Sequence, residues 1–177
     1  MLITISGLPG SGTTTVSRLV ADALGIERVP GGEVFRQLAD EAGMTLAEFG
    51  LYAQEHPEID IELDRRLTAR AAQGGCVVES RLAGWNCTRA GLRALRVWID
   101  CEEEVRAERV ALRDHTPVEQ AVADSRARAA LERSRYQSVY DIDLDDRSAY
   151  DLLLDSTTEP AAVLADEIGE AARALFA

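Results

Sequence analysis

The sequence predicts a three-layer α/β fold, a five-stranded parallel sheet with helices on both faces. Two observations carry this expectation. The chain opens as strand, glycine-rich turn and helix: residues 2–6 are a short β-branched apolar run, and Gly7-Leu8-Pro9-Gly10-Ser11-Gly12 follows. Apolar residues then recur at Val16, Leu19, Val20, Ala23 and Leu24 with helical spacing until Gly25 closes the helix. Further short apolar runs at 76–78, 95–99 and 152–154 suit strands buried on both faces, and helical patterns separate them. Strands alternating with helices make βαβ units, and therefore a parallel sheet.

The helical patterns cover about 33–42, 45–54, 57–73, 102–113, 117–138 and 159–175, with Asp100 and Thr116-Pro117 as helix starts. Residues 32–74 read as a helical insertion between the second and third strands. No internal repeat, low-complexity tract or linker interrupts the chain, so one domain over 1–177 is expected. Ligands in such folds bind beyond the carboxyl ends of the strands, so functional residues should lie just after strands.

Composition narrows the function classes. Of 177 residues, 46% are hydrophobic and only 5% aromatic, so Ala, Leu, Val and Ile must build the core. No apolar run approaches the ~20 residues of a membrane span, and the N-terminus lacks the basic region of a signal peptide. Cys76, Cys87 and Cys101 show no C-x-x-C spacing and read as buried free thiols, consistent with a reducing cytosol. A cytoplasmic monomer is expected. His56 and His115 lack metal-ligand spacing. The net charge of −12 repels polyanions and argues against nucleic-acid binding. All 19 basic residues are arginine, a composition that fits either high-salt adaptation or a GC-rich genome. An anionic substrate would require arginines gathered locally.

Gly7-Leu8-Pro9-Gly10-Ser11-Gly12-Thr13-Thr14 matches G-x-x-x-x-G-K-[ST] at every defined position but one. In this P-loop pattern, glycines let backbone N–H groups point inward at phosphate oxygens, and the following helix adds its own free amides through Thr15. Thr14 would place a hydroxyl on Mg²⁺. Thr13 stands where a lysine is expected, so either an arginine elsewhere supplies that charge or donor handling is weakened.

Beyond the loop, three segments make the chain resemble the archaeal-type cytidylate kinases, within the adenylate kinase-like nucleoside monophosphate kinases. Gly31-Gly32-Glu33-Val34-Phe35-Arg36 resembles the G-D-x-x-R signature opening the monophosphate region, with Glu33 for the usual aspartate. Val77-Val78-Glu79-Ser80-Arg81-Leu82-Ala83-Gly84-Trp85 is similar to the family's V-x-E-x-R-L-A-G-W stretch, and Arg106 to Arg113 through Tyr140-Asp141-Ile142-Asp143 looks like its lid and the segment after it. The resemblance implies a P-loop NTPase fold with a mobile lid at about 114–135, ATP as donor, Mg²⁺ as cofactor and CMP or dCMP as acceptor. It places Arg36 on the acceptor phosphate.

The residues read the same way on their own. Glu79 ends a buried strand, where a carboxylate would hold a Mg²⁺-bound water, and Arg81 lies two residues on, placed to bridge phosphates. A structural Glu79–Arg81 ion pair is the alternative. Trp85 would flank the base or simply pack. On a helix Arg106, Arg109 and Arg113 share one face, as do Arg128 and Arg135. Arg109, Arg113, Arg128 and Arg135 are the expected catalytic cations, one of them replacing the absent lysine. Arg106 and Arg126 read as solvated residues paired with neighbouring glutamates. Within the insertion, Asp60, Asp64, Arg65 and Arg66 form a charged helix, with Asp64 and Arg65 the base-reading candidates and a solvated charge run the alternative. No catalytic base is needed, because a monophosphate is anionic at neutral pH. Two other functions stay open: a kinase for another small acceptor (AMP, UMP or a biosynthetic intermediate), or a nucleotide-binding module without turnover.

Overall fold

The computed structural model describes residues 1–177. β1 (Leu2–Gly7), β2 (Glu27–Pro30), β3 (Cys76–Glu79), β4 (Leu95–Asp100) and β5 (Leu152–Asp155) form one sheet in the order β2-β3-β1-β4-β5, with every pair parallel. The helices are α1 (Thr13–Leu24), α2 (Gly31–Glu41), α3 (Leu46–Glu55), α4 (Glu58–Ala71), α5 (Ala83–Arg89), α6 (Glu103–Asp114), α7 (Val118–Tyr140) and α8 (Ala161–Phe176).

Strand alternation splits the apolar runs between two helical layers. Ile3, Ile5, Val77, Val97 and Ile99 face Val16 and Val20 of α1 and Leu164 and Ile168 of α8. Leu2, Cys76 and Val78 face the opposite way, onto Leu67 and Ala71 of α4 and Ala83 and Cys87 of α5. Burial on both faces explains why these runs are continuous rather than alternating. Each fully buried Val, Leu or Ile contributes about 1.5–3 kcal/mol, so the central strands anchor whatever follows them. Cys76 and Cys87 are buried free thiols, and burial pushes the Cys87 thiol up to about 11, which leaves it protonated and inert.

Local signals set the helix ends. Gly25 stops α1 at φ 64°, and its N–H meets the carbonyls of Ala21 and Asp22. Thr45 starts α3 with a reciprocal capping box to Glu48. Thr116-Pro117 does precede α7, with Pro117 in the capping position. Asp100 does not start a helix. It closes β4, where its Oδ1 accepts from Trp98 Nε1 at 2.6 Å, and Glu102 caps α6 instead. Two elements escaped the periodicity. The edge strand β2 reads Glu-Arg-Val-Pro, with no apolar run, and α5 has only seven residues.

The topology creates the crevice. β1 lies between β3 and β4, so the chain crosses to opposite sides after β1 and after β3, which opens a cleft at their carboxyl ends. Helices α2–α4 stand at one side around their own core of Phe35, Ala39, Phe49 and Ala53. The α6–α7 hairpin stands at the other, joined through Val110, Ala111 and Ala121. The segment at about 114–135 coincides with the turn of this hairpin and much of α7, which runs unbroken for 23 residues. No helix is long and apolar enough to cross a membrane.

Candidate active site

The turn between β1 and α1 has a shape only glycine allows. Gly10 and Gly12 adopt φ of 85° and 83°. A Cβ on Gly10 would also collide with the Arg106 carbonyl, so α6 packs directly against the loop. The loop is closed by the Ser11 N–H on the Leu8 carbonyl (3.1 Å) and by Ser156 Oγ on the Ser11 carbonyl (2.8 Å). At the start of α1, Thr13, Thr14 and Thr15 are at positions whose amides have no intrahelical partner, the property that draws anions to helix N-termini.

Above this turn lies a cavity of about 430 Å³, walled by Gly7, Leu8, Pro9, Gly10, Gly12, Thr13, Thr14 and Thr15. Ser11 is the one loop residue that turns away, its side chain buried. The remaining wall carries Phe35 and Arg36 from α2, Asp60 and Asp64 from α4, Glu79 and Arg81 after β3, Arg109 and Arg113 from α6, and Arg128, Glu132 and Arg135 from α7. Six arginines thus meet four carboxylates there, in a chain of net charge −12. The local concentration of cations that an anionic substrate requires is present.

Glu79 holds the centre of the loop side. Its Oε1 accepts from Thr14 Oγ1 (2.7 Å) and Thr13 Oγ1 (3.1 Å), and its Oε2 from Ser17 Oγ (3.0 Å) and Arg28 Nη2 (2.7 Å). Burial pushes this carboxyl up, but the bonds from Thr14 and Arg28 outweigh it and hold Glu79 below the ordinary carboxylate range, ionised at neutral pH. Arg28, on the edge strand, is a partner of the site that sequence reasoning missed, because nothing in Glu-Arg-Val-Pro marks it. It also bears on the Glu79–Arg81 pair weighed as the alternative and on Glu33. The ion pair at Glu79 is made with Arg28 rather than with Arg81, and Glu33 is bound to Arg28 at 2.6 Å and does not line the cavity.

Arg81 instead donates to the Gly7 carbonyl and to Glu132, at 2.7 Å from Nε and 3.4 Å from Nη2. Glu132 accepts from Arg128 as well, at 2.9 Å. Burial pushes the Glu132 carboxyl up, yet the two guanidinium groups overcome this and bring it down to about 2. Glu132 therefore links the β3 end to α7. Its spacing of four from Arg128 was its only sequence signal.

The four expected cations separate into different roles. Arg109 is bound to the Ser156 carbonyl (2.7 Å) and Oγ (3.1 Å) and reaches the Gly10 carbonyl at 3.4 Å, which ties α6, the loop and the β5 end together. Arg135 is nearly inaccessible, ion-paired with Asp60 at 2.6 Å and set 5.3 Å from both the Phe35 and Tyr136 rings. Arg113 carries only its neighbour Asp114, at 2.6 Å. Arg113 and Arg128 act electrostatically on Arg36, which makes no ion pair of its own. Burial and then these two like charges pull the Arg36 pKa below its ordinary value, the mark of a cation cluster awaiting an anion. Arg126 pairs with Glu103 at 2.8 Å. Arg106 is not a glutamate partner; it donates to the Cys101 and Pro9 carbonyls beside the loop.

At the far end of the cavity, Asp64 Oδ2 accepts from Tyr140 Oη at 2.8 Å. Arg65 does not join it. Its side chain points to solvent and pairs with Glu62 at 2.7 Å, so the surface-charge alternative holds for this residue. Trp85 packs against the cluster of Leu82, Trp98 and Tyr136 and does not line the cavity. No group of three or more His, Cys, Asp or Glu side chains is placed to hold a metal ion.

The comparisons agree with this geometry. The model of the cytidylate kinase-like family matches residues 2–158. The chain is 44% identical over 158 residues to the cytidylate kinase of Methanocaldococcus jannaschii, covering 89% of each protein. It is 47% identical over 157 residues to that of Pyrococcus furiosus, covering 89% of this chain and 80% of the relative. Among solved structures, shikimate kinase from Acinetobacter baumannii superposes with TM-score 0.61 at 17% identity, covering 98% of this chain and 93% of that one. A gluconokinase from Sinorhizobium meliloti gives 0.61 at 18%, covering 97% and 92%. At such identity these two show the fold alone. The match over residues 2–158, with relatives above 40% identity over 80–89% of their length, establishes that the chain belongs to the cytidylate kinase-like family.

Proposed function

We propose that this protein transfers the γ-phosphoryl group of ATP to CMP or dCMP, giving ADP and the diphosphate. The observation that carries the reading is the cationic cavity over the β1–α1 turn, in a chain of strong negative charge whose relatives are cytidylate kinases. The amides of the turn from Gly7 to Thr15 receive the donor phosphates. Arg36, unpaired and repelled by its neighbours, takes the acceptor phosphate, and Arg81 turns part of its fork from Glu132 to assist. Arg113 and Arg128 neutralise the charge spread over the transferring group, an effect worth about 2.7–4 kcal/mol per donor in water-excluded sites. The α6–α7 hairpin closes over the loop and keeps water from competing with the acceptor. Neither nucleic acid nor a membrane is a partner in this reading.

The oxygen set at the turn suits Mg²⁺, which binds through one or two protein oxygens, substrate phosphates and retained waters rather than in an all-protein cage. Thr14 would hold it directly and Glu79 through water, their oxygens already 2.7 Å apart. Held there, the ion would offset negative charge on the donor phosphates.

An ADP-release assay with ATP, Mg²⁺ and each of CMP, dCMP, UMP and AMP tests the reading. CMP or dCMP should turn over fastest. ATP-protected thermal stability without any product would instead assign a binding module, and preference for AMP or UMP a different acceptor.

A further inference from the structure

The acceptor end of the cavity holds two carboxylates one helical turn apart, Asp60 and Asp64, on the inner face of α4. They are unequally committed. Asp60 is buried and its charge is met by Arg135 at 2.6 Å. Asp64 lines the cavity with no ion pair, and its closest hydrogen bond comes from Tyr140 Oη to Oδ2 at 2.8 Å. Asn86 of α5 lies close behind, its buried amide nitrogen outside hydrogen-bond geometry with any group.

We propose that Asp64 reads the acceptor base as a neutral carboxylic acid, donating from Oδ1–H to cytosine N3 while Oδ2 accepts from the 4-amino group. The proposal rests on the CMP reading above and deepens it. A protonated carboxyl offers one donor and one acceptor side by side, the complement of the N3 and amino pair of cytosine. Uracil presents the reverse, an N–H at position 3 and a carbonyl at 4. A carboxyl free to rotate would match either base. Tyr140, by donating to Oδ2, fixes that atom as the acceptor and so the proton on Oδ1, which makes Tyr140 a positioning residue. An ionised Asp64 could accept from the amino group but would face the N3 lone pair with a charge. Adenine shares the cytosine pattern, so this contact separates cytosine from uracil and leaves the purines to be excluded by room.

The surroundings bring the neutral form within reach of neutral pH. Burial pushes the Asp64 carboxyl up to about 6, only partly offset by the Tyr140 and Asn86 groups and the charge of Arg135. Asp60, on the same helix, rises to about 6 through burial, against the pull of Arg135 and with the push of Asp64 and Glu132. With a single arginine between two carboxyls, taking up one proton on binding is the lower-cost way to bury both under a base. Asp64 is then protonated from solvent as CMP enters.

The test compares KM for CMP in wild type and Asp64→Asn from about pH 6 to 8.5. Asparagine presents the same donor and acceptor, held the same way by Tyr140, but cannot titrate. The acceptor phosphate's own ionisation is common to both proteins and cancels in the ratio. The wild-type to variant KM ratio should climb toward tenfold per pH unit above about pH 7. A flat ratio, or one that falls as pH rises, overturns the proposal. Should the variant fail to fold, calorimetric binding of CMP to wild type at about pH 8, in two buffers of different ionisation enthalpy, decides the matter. Close to one proton taken up per CMP supports the proposal, and none overturns it. CMP that is bound and phosphorylated without this signature sinks the protonated reading alone, whereas CMP neither bound nor phosphorylated at any pH sinks the functional assignment as well.

Discussion

Glu132→Gln keeps the shape of the side chain and removes its charge, at the point where α7 is tied to the end of β3. The glutamate side chain is 6% exposed and accepts from Arg81 at 2.7 Å and Arg128 at 2.9 Å. Its carboxyl, brought from an ordinary 4.5 to about 2 by those two cations, corresponds by linkage to about 3 kcal/mol of stability. Breaking a buried pair by removing one partner costs about 3–5 kcal/mol, so the two routes agree. At roughly 2–4 °C per kcal/mol for a chain of this size, the variant should melt about 10 °C lower at neutral pH. Because the folded state holds the proton more weakly, this contribution is complete above about 4.5 and is lost as pH falls toward about 2. Scanning calorimetry at neutral pH and at about pH 3 should therefore show a wide gap that narrows with acid. Mg²⁺-ATP with CMP should raise the variant's midpoint more than the wild type's, since phosphates supply the missing negative charge. A neutral-pH gap under about 3 °C, or one that acid leaves unchanged, refutes the reasoning.

Arg36→Ala removes the cation proposed to hold the acceptor phosphate, and should raise KM for CMP about 10–100-fold with little change in KM for ATP, read from steady-state kinetics. Glu79→Gln leaves Arg28 facing a neutral amide and should lower kcat about 10²–10³-fold and raise the Mg²⁺ concentration for half-maximal rate. Arg65→Ala, on a solvent-facing side chain, should leave KM within about twofold and stability within ~0.5 kcal/mol, whereas a large KM effect would return this residue to the base site. Thr13→Lys should not raise kcat above about twofold, because the new ammonium would fall beside a carboxylate already satisfied by Arg28.

Central parts of the fold were legible because their physics is local. β1, β3, β4 and β5 announce themselves as apolar runs, since a parallel strand buried on both faces must be apolar at successive positions. The phosphate turn was legible because positive φ leaves little choice of residue. What escaped was set by tertiary pairing. β2 borders the sheet, so its residues carry no pattern, yet it brings Arg28 to Glu79 from 51 positions away. Arg109 and Arg113 share a helix face with Arg106, as i, i+3 and i+4 spacing implies, but spacing does not reveal which guanidinium meets a carbonyl and which stays unspent. Arg65 and Asp64 are adjacent in sequence and, on a helix, fall on different faces. Their charges suggested a pair of base contacts, and the helix put one of them in water.

The threonine at the lysine position follows from how charge is divided around Glu79. A cation at position 13 would have two tasks, to offset the acid at the end of β3 and to draw in the donor phosphates. Here the first is met from the edge strand by Arg28, with Ser17 bridging the two, so the other oxygen of Glu79 needs only the neutral hydroxyls of Thr13 and Thr14. In the proposed reaction the second falls to guanidinium groups on α6 and α7, where Arg113, paired with Asp114, and Arg128, paired with Glu132, repel Arg36, which has no ion pair of its own. Their repulsion lowers the Arg36 pKa, and in the proposed reaction the substrate phosphates would offset it. A lysine fixed in the loop would hold its charge there whether or not the hairpin lay above it. In the proposed reaction, arginines on the hairpin would bring positive charge to the phosphates together with the surface that excludes water, so transfer to a water molecule would not meet the full complement of cations.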